Sequence, residues 1–357
     1  MKILFSVFRY HTNMFSMVMS LKNAGHDVLI LAVAKEPYEH KQDNLLQLID
    51  LSSSVDVQIE NIFEKFAADL VIVRDALNEN VAPVVAKVSK ERKIKCISYE
   101  QNRCYANSFF GAIYVGMRHF LNQRRRGMPL LEISPKRGAL SEFVIPFRKY
   151  SHFPMICEPS VEPRSYFPDG IIRIVTVGKL GVERKRLHWV IRALESFDID
   201  YQLTIVGAND LDRYSNRSVS YYHMLYDLSR TGLREGRIRI LENLPFEQMG
   251  NIYQNSDIFV LASKGEKFGI SPLEAMSHGC AVLTADDNGS SPYLSSGVDS
   301  LIFNSESFDD FYRKFFELLT NNELVTSLGL MAIKTIVQRH DVKSFESFIS
   351  DLVGDEV

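Results

Sequence analysis

The fold of this chain is indicated most clearly by the stretch Ser263-Lys-Gly-Glu266-Lys-Phe-Gly269-Ile-Ser-Pro-Leu-Glu274-Ala-Met276. An apolar strand precedes this stretch, and a glycine-bearing polar loop opens it. A helix is predicted to begin near Pro272, because proline is favoured in the first helical turn. Backbone N–H groups at such a helix start bind anions, so this is the type of turn that holds a charged ligand at the end of a parallel sheet.

Two carboxylates in this stretch are candidates for contacts with sugars. Glu266 lies in the loop, where it can accept hydrogen bonds from sugar hydroxyls, and Glu274 lies one turn into the helix, where it can accept from a ribose diol. A charge-assisted hydrogen bond of this kind contributes roughly 1.5–3 kcal/mol. A glutamate near a helix start is also favoured by the helix dipole alone, so the functional interpretation depends on the pair.

A second loop directly after a predicted strand is basic: Gly178-Lys179-Leu-Gly-Val-Glu-Arg184-Lys185-Arg186. Fixed cations here could stabilise the negative charge on a departing nucleotide diphosphate without a metal. Taken alone, the loop is equally well explained as a solvated basic surface.

Strands and helices alternate along the chain, which favours parallel sheets covered by helices on both faces. A chain of 357 residues is too long for one core, and prolines cluster near residues 155–170, where we place a linker. The predicted domains are residues 1–165, residues 166–335 and a C-terminal helix over residues 336–357. The predicted strands are Lys2–Val7, Val28–Val33, Leu70–Val73, Ile94–Tyr99, Ile171–Val177, Gln202–Val206, Ile238–Leu241, Ile258–Ala262 and Ala281–Thr284. The predicted helices are Met14–Asn23 and Leu187–Phe197, and the pattern of Phe308–Val353 is helical.

The glutamates seven residues apart, with Phe268-Gly269 between them and Glu274-Ala-Met276 closing the motif, resemble the signature of the retaining glycosyltransferases of family 4. The resemblance continues through His278–Val282 and Asp287–Ser291. It implies the α/β GT-B fold: two Rossmann-like domains with parallel sheets facing across a cleft, and a C-terminal helix packing back on the first domain. It also implies catalytic roles for Lys179, Lys185 and Glu266, and donor contacts from Gly178, Phe268, Gly269, Ile270, Glu274 and Ser290.

The chain departs from the family pattern in two places. Ser290 stands where the family usually has the second glycine of a pair. Between the first strand and helix, the family often has two glycines that approach phosphates, and this chain has the polar loop Arg9-Tyr-His-Thr-Asn13. Side chains must then supply the acceptor or phosphate contacts, and the candidates are His11, Asn13, Asp75 and Glu100.

The resemblance implies a retaining, metal-independent transfer from a nucleotide-sugar substrate to a glycan or lipid-linked acceptor, as in surface polysaccharide or glycoconjugate synthesis. No cofactor or metal is expected. Two Asp-x-Asp triplets could suggest a metal site. Asp198-Ile-Asp200 precedes a strand, which is the wrong end of a parallel sheet for ligands. Asp210-Leu-Asp212 follows a strand and is better placed, but a polar surface loop explains it equally well. A same-fold epimerase or hydrolase and a non-catalytic nucleotide-sugar-binding protein remain alternatives. A dehydrogenase is disfavoured, because neither loop carries Gly-x-Gly-x-x-Gly.

Composition limits the remaining classes. The formal net charge of -3 argues against nucleic-acid binding, and the cysteines, Cys96, Cys104, Cys157 and Cys280, form no Cys-x-x-Cys pair, as expected of reduced thiols in a cytoplasmic protein. The apolar run at the N-terminus is too short for a signal peptide. Residues 109–126 are apolar and then basic, ending in Arg124, Arg125 and Arg126. This order suits either a peripheral contact with an anionic membrane surface or a core helix with a solvated end.

Overall fold

The computed structural model describes residues 1–10, 12–34, 44–74, 80–100, 108–134, 149–160, 162–210, 214–266 and 268–354. The chain divides into two compact units, each built on one parallel sheet. Among the described residues, the first unit contains residues 1–134, 149–156 and 342–354, and the second contains residues 157–341. The predicted α/β class with two Rossmann-like domains is thereby confirmed.

The first unit contains a seven-stranded sheet in the order β3-β2-β1-β4-β5-β6-β7. Its strands are β1 (Lys2–Arg9), β2 (Asp27–Ala34), β3 (Leu46–Leu48), β4 (Leu70–Val73), β5 (Lys95–Tyr99), β6 (Leu131–Ser134) and β7 (Lys149–His152). Its helices are α1 (Thr12–Asn23), α2 (Val55–Phe66), α3 (Ala82–Glu91), α4 (Phe109–Arg126) and, from the C-terminus, α11 (Val342–Gly354). The chain adds strands outward from β1 and then returns to its other side at β4, so the strand order reverses between these two strands.

The second unit contains a six-stranded sheet in the order β10-β9-β8-β11-β12-β13. Its strands are β8 (Ile172–Val177), β9 (Tyr201–Gly207), β10 (Ile238–Glu242), β11 (Ile258–Leu261), β12 (Ala281–Ala285) and β13 (Leu301–Phe303). Its helices are α5 (Leu187–Glu195), α6 (Asn216–Arg234), α7 (Met249–Gln254), α8 (Ser271–Ser277), α9 (Phe308–Thr320) and α10 (Asn322–Arg339). Here the order reverses between β8 and β11.

Burial explains why the central strands could be predicted. All four residues of β4 and all four of β11 are buried, as expected of parallel strands that helices cover on both faces. Several helices begin at a serine whose hydroxyl accepts a backbone N–H, as at Ser108 before α4 and Ser307 before α9.

The C-terminal helix packs on the first unit, as predicted, but it begins at Val342 and not at residue 336, because α10 continues to Arg339. Phe345 of α11 lies edge-on to Phe153, with ring centroids 6.3 Å apart. The Lys95 ammonium donates a hydrogen bond to the carbonyl of Leu352, 2.5 Å away. The terminal helix therefore contributes both apolar and polar contacts to the first unit.

One local expectation was wrong. The polar loop predicted over residues 9–13 is shorter, because β1 continues to pair with β2 through Arg9, opposite Ala34, and α1 already begins at Thr12. Pairing with a buried neighbouring strand outweighs the low strand preference of the polar sequence. Smaller shifts of one or two residues occur elsewhere: α5, for example, ends at Glu195 and not at Phe197.

Candidate active site

The two loops singled out in the sequence follow β8 and β11, the neighbouring strands at which the order of the second sheet reverses. In open parallel α/β sheets, ligands bind at the carboxyl ends of the strands at such a point. Both loops therefore begin at the expected position of a ligand site.

Glycine at position 269 is required by the geometry. Gly269 has φ +58°, and a Cβ there would lie 1.9 Å from the side-chain oxygen of Asn288. The nearby Gly289 N–H donates to the carbonyl of Glu266 over 2.7 Å, and the Gly265 N–H donates to an Asp287 carboxylate oxygen over 2.7 Å. These contacts hold the Glu266 loop against the loop that follows β12.

The Glu266 carboxylate makes ion pairs with two cations from the loop after β8. It contacts the Lys185 ammonium directly, and its Oε2 lies 3.2 Å from a guanidinium nitrogen of Arg184. Burial alone would raise the pKa of the Glu266 carboxyl, but the charges of Lys185 and Arg184 outweigh burial and lower it. Glu266 is therefore ionised at neutral pH and is a hydrogen-bond acceptor only.

Gly178 allows Lys185 to lie over the end of β8. A Cβ at Gly178 would lie 3.1 Å from the aliphatic chain of Lys185, closer than normal packing. Lys179 extends in another direction, and its ammonium lies 3.1 Å from the Asp210 carboxylate. Each of the two candidate phosphate-binding lysines thus has a carboxylate partner.

Glu274 lies in the first turn of α8 and has a different environment. Among the described residues, its carboxylate has one hydrogen-bond partner, the hydroxyl of Tyr253 at 3.3 Å. Burial raises the pKa of Glu274 from 4.5 to about 7, although the Tyr253 hydrogen bond lowers it. Burial, together with the negative charge of Glu274, also raises the pKa of Tyr253. At neutral pH, Glu274 therefore exchanges between an acid and a carboxylate, and added hydrogen-bond donors would favour the carboxylate.

Buried hydroxyls lie around the same strand ends. The Oγ atoms of Ser263 and Ser290 and the Oγ1 of Thr176 are buried and have no hydrogen-bond partner in the described part of the chain. Ser290 was predicted from its motif, whereas Thr176 and Ser263 were not.

The remaining predicted donor residues shape the turn. Phe268 is buried, and the carbonyl of Ile270 accepts the N–H groups of Leu273 and Glu274 at the start of α8. The sequence analysis did not predict a ligand role for Arg184. The contact between Arg184 and Glu266 could not be predicted locally, because it joins residues that are 82 positions apart in the chain. The structure thus brings Lys185, Arg184 and Glu266 together, and it gives Lys179 and Glu274 separate partners.

The candidates of the first unit are less well defined. His11 and Asp75 lie outside the described residues. Asn13 lies in the first turn of α1, and Glu100 follows β5, where its N–H donates to the carbonyl of Ile133 over 3.0 Å. Their proposed contacts with acceptor or phosphate stay predictions.

Three further observations concern metals, thiols and membranes. The described residues contain no cluster of three or more His, Cys, Asp or Glu side chains that could hold a metal ion. Cys96, Cys157 and Cys280 are free thiols, and Cys104 lies outside the described residues. In the described part of the chain, no helix combines the length and apolarity needed to cross a bilayer.

Residues 162–335, the segment that contains this site, match the family described as Glycosyl transferases group 1. The chain is 28% identical over 97 residues to a D-inositol 3-phosphate glycosyltransferase of Nocardia farcinica, covering 27% of this chain and 22% of that protein. A protein of the same name from Corynebacterium aurimucosum is 29% identical over 119 residues, covering 33% of this chain and 28% of the relative. The chain therefore matches less than a third of the length of either relative.

Solved structures resemble the whole chain in fold. Anabaena HepE, solved in complex with UDP and glucose, superposes with a TM-score of 0.72 at 15% identity, covering 100% of both chains. A glycosyltransferase from Rickettsia africae superposes with a TM-score of 0.70 at 14% identity, covering 99% of this chain and 97% of the other. At these identities, the likeness shows the fold alone, which agrees with the two Rossmann-like domains predicted from the sequence.

Proposed function

We propose that the chain is a retaining, metal-independent glycosyltransferase that takes a sugar from a nucleotide diphosphate donor bound at the reversal point of the second sheet. The observation that carries this proposal is the cluster of Lys185, Arg184 and Glu266 at the carboxyl ends of β8 and β11. The match of residues 162–335 to glycosyl transferases supports it. So does the binding of UDP and UDP-glucose by Anabaena HepE.

In the proposed reaction, the bond between the anomeric carbon and the diphosphate oxygen breaks, and the electron pair leaves with the nucleotide diphosphate. The acceptor oxygen bonds to the anomeric carbon on the same face, and the acceptor proton passes to the departing diphosphate oxygen. Negative charge on the diphosphate rises as the bond breaks, so cations placed beforehand stabilise the transition state more than the bound donor.

The ion pairs of the two lysines indicate how these cations are held in place. Lys185 and Lys179 are paired with Glu266 and Asp210, and the Lys185 side chain is 16% exposed whereas that of Lys179 is 51% exposed, so Lys185 is the more firmly positioned before a donor arrives. The diphosphate takes over the two ammonium groups, and Glu266 is then available to accept hydrogen bonds from sugar hydroxyls. Glu274, which has no cationic partner among the described residues, accepts from the ribose diol.

We also propose that the acceptor is lipid-linked and that α4 lies against an anionic membrane surface. Its large apolar side chains point outward: Phe110, Tyr114 and Leu121 are 81%, 65% and 56% exposed, and Met117 is exposed as well. Positions 110, 114, 117 and 121 share one helical stripe. The fully buried residues of α4, Ala112, Gly116 and Gln123, are small or polar, and its most exposed side chains are large and apolar.

Arginines flank this stripe. At 100° per residue, Arg118 and Arg125 lie on one side of the stripe, and Arg124 lies on the other. An apolar stripe bordered by cations is the pattern of a helix that lies in the plane of a membrane interface, where each basic residue contributes about 1 kcal/mol.

Sedimentation with anionic and neutral vesicles at low salt tests this surface. Wild-type protein should bind anionic vesicles, and both Phe110→Ser/Leu121→Ser and Arg124→Ser/Arg125→Ser should reduce binding. Leu48→Ser/Val57→Ser changes two exposed apolar residues away from α4 and serves as the control. Equal binding by all four proteins would rule out the α4 surface, and loss of a wild-type dimer in the α4 variants would assign the stripe to a second copy.

The reaction itself is tested by product analysis with a panel of nucleotide sugars. Donors are first selected by thermal stabilisation, since a ligand that binds the folded state raises its apparent stability. A transferase releases nucleotide diphosphate and places the sugar on an added acceptor. Release of free sugar whatever acceptor is supplied would indicate a hydrolase, a changed nucleotide sugar would indicate an epimerase, and binding without turnover would indicate a silent binding protein.

A further inference from the structure

Arg186, the residue that follows Lys185, has a backbone conformation that favours glycine. Its φ is +50°, and it ends the short 3₁₀ turn Glu183–Lys185 and precedes α5. The Arg186 N–H closes this turn by donating to the carbonyl of Glu183 over 2.9 Å. Arginine is strained in this left-handed region, and glycine is not. The Arg186 side chain is therefore expected to contribute something that glycine cannot.

The Arg186 guanidinium makes two contacts with other parts of the second unit. It lies over the Trp189 ring, with its Cζ 4.2 Å from the centroid, and its Nη1 donates to the carbonyl of Ser305 over 2.5 Å. Trp189 in turn lies edge-on to Phe308 of α9, with ring centroids 5.1 Å apart. The Arg186 side chain thereby joins the turn after β8 to the loop after β13, which is a link that glycine could not make.

Hydrogen bonds also join the loops that follow β8, β11 and β12. The Lys264 N–H, in the loop after β11, donates to the carbonyl of Arg184 over 2.8 Å. The next residue, Gly265, donates its N–H to the carboxylate of Asp287, which belongs to the loop after β12. These three loops are thus connected in series.

Arg186 completes the series as a closed ring. The Ser305 N–H donates to the Asp286 carboxylate over 3.0 Å, which joins the loop after β13 to the loop after β12. The Ser305 carbonyl accepts from Arg186 and returns the connection to the turn after β8. Lys185 lies in this ring between Arg184, which is held through its carbonyl, and Arg186, which is held through its side chain. Both neighbours of Lys185 are therefore fixed to other loops.

We propose that Arg186 is a positioning residue that holds the Lys185 ammonium at the end of β8, where it stabilises the departing diphosphate. This role in the reaction rests on the proposed function, whereas the fixing of Lys185 by Arg186 does not. Arg186 itself is assigned no contact with substrate, because its guanidinium is already engaged by Trp189 and Ser305. Electrostatic stabilisation of a transition state depends on charges that are held in place beforehand, so a displaced Lys185 would lose much of its effect.

Steady-state kinetics with the donor selected by the nucleotide-sugar panel tests the role in the reaction. Arg186→Gly suits the backbone and removes the side chain, and it should lower kcat about 10–10²-fold while the KM for donor changes less than about threefold. Arg186→Lys, which can still donate to the Ser305 carbonyl, should restore part of the lost kcat. The controls are Lys93→Gly, which relieves another positive φ, of +58°, and Arg192→Gln, which removes an exposed cation from α5, and both should match wild type. A change confined to KM in Arg186→Gly would contradict the positioning role.

A double-mutant cycle shows whether Arg186 acts through Lys185. In a Lys185→Ala background, Arg186→Gly should lower kcat by less than about twofold, because the group that it positions is absent. An equal fall in kcat in both backgrounds would overturn the proposal, since a general structural defect does not depend on Lys185. If Arg186→Gly does not fold, the same cycle is run with Arg186→Asn, because asparagine tolerates the left-handed region.

The reactivity of Lys185 toward acetic anhydride measures its position without any turnover. Mass spectrometry compares its acetylation with that of Lys314, which has a similar exposure, 21% against 16%, and its own carboxylate partner, Asp310, 3.2 Å away. In Arg186→Gly, acetylation of Lys185 should rise several-fold relative to Lys314, and in Lys93→Gly it should not. An unchanged ratio in Arg186→Gly would overturn the proposal. If wild-type protein transfers no sugar while this ratio rises, the proposed function fails and the fixing of Lys185 by Arg186 stands.

Discussion

The raised pKa of Glu274 predicts a pH-dependent stability that Glu274→Gln removes. Burial shifts this pKa from 4.5 to about 7. In the unfolded chain, the carboxyl loses its proton near its ordinary value, whereas the folded protein retains the proton up to the raised value. Between these pH values, the folded state binds more protons, so the free energy of unfolding falls as pH rises.

The size of the effect follows from the shift. About 2.5 pKa units at about 1.36 kcal/mol each give roughly 3 kcal/mol, and partial solvent access to the carboxylate reduces this to roughly 2–3 kcal/mol. Glutamine has nearly the same shape and no proton to lose. The variant should therefore gain roughly 2–3 kcal/mol relative to wild type between pH 4.5 and pH 7.5.

Urea unfolding of both proteins at pH 5 and pH 8, followed by the near-UV signal, measures this difference. We expect the stability difference between Glu274→Gln and wild type to grow in favour of the variant as pH rises. A difference that stays constant with pH would refute the account of Glu274 as a buried carboxyl without a cationic partner.

The same titration predicts a change in nucleotide binding. Ribose hydroxyls that donate to Glu274 favour its ionised form, so UDP affinity should increase between pH 6 and pH 8 in wild type beyond any increase in Glu274→Gln. The titration of UDP itself is common to both proteins and cancels in the comparison. Parallel pH profiles would contradict a ribose contact at Glu274.

Three further predictions concern the loops and the metal. Gly269→Ala should destabilise the second unit by about 1–2 kcal/mol for its positive φ and about 1–3 kcal/mol for the contact with Asn288. Gly265 has φ +62°, and a Cβ added there would have no atom within 4 Å, so Gly265→Ala should lose only the stability that the positive φ costs. Equal losses of stability in the two variants, measured by urea unfolding, would refute the steric argument. Lys185→Ala should lower kcat about 10²–10³-fold with intact near-UV spectra. Because the Lys179 side chain is more exposed than that of Lys185, Lys179→Ala should lower kcat less. An unchanged kcat in both variants would show that neither lysine takes part in catalysis. Activity should survive EDTA, and loss that added Mg²⁺ or Mn²⁺ restores would show that the mechanism needs a metal.

The sequence predicted the central strands because burial on both faces leaves a continuous apolar run, as in Leu70–Val73, which was predicted with its exact bounds. Short strands such as β3 (Leu46–Leu48) and β7 (Lys149–His152) were missed. Three or four residues, partly exposed or polar, carry too little of the strand pattern, and pairing with a neighbour determines that they form.

The candidate site was also predicted only in part. The strand–loop–helix positions of Glu266 and Glu274 follow from local pattern. The pairing of Lys179 with Asp210 joins residues 31 positions apart, and the pairing of Lys185 with Glu266 joins residues 81 positions apart.

The central claim is that Lys185 and its loop bind the diphosphate of a nucleotide sugar, and calorimetric titration with UDP and UDP-glucose, followed by the corresponding nucleotides of other bases, tests it most directly. Wild-type protein should bind at least one pair of nucleotide and nucleotide sugar, Lys185→Arg should retain part of the affinity, and Lys185→Ala should lose tenfold or more. Absence of binding across the panel, or equal affinity of wild type and Lys185→Ala, would contradict the account.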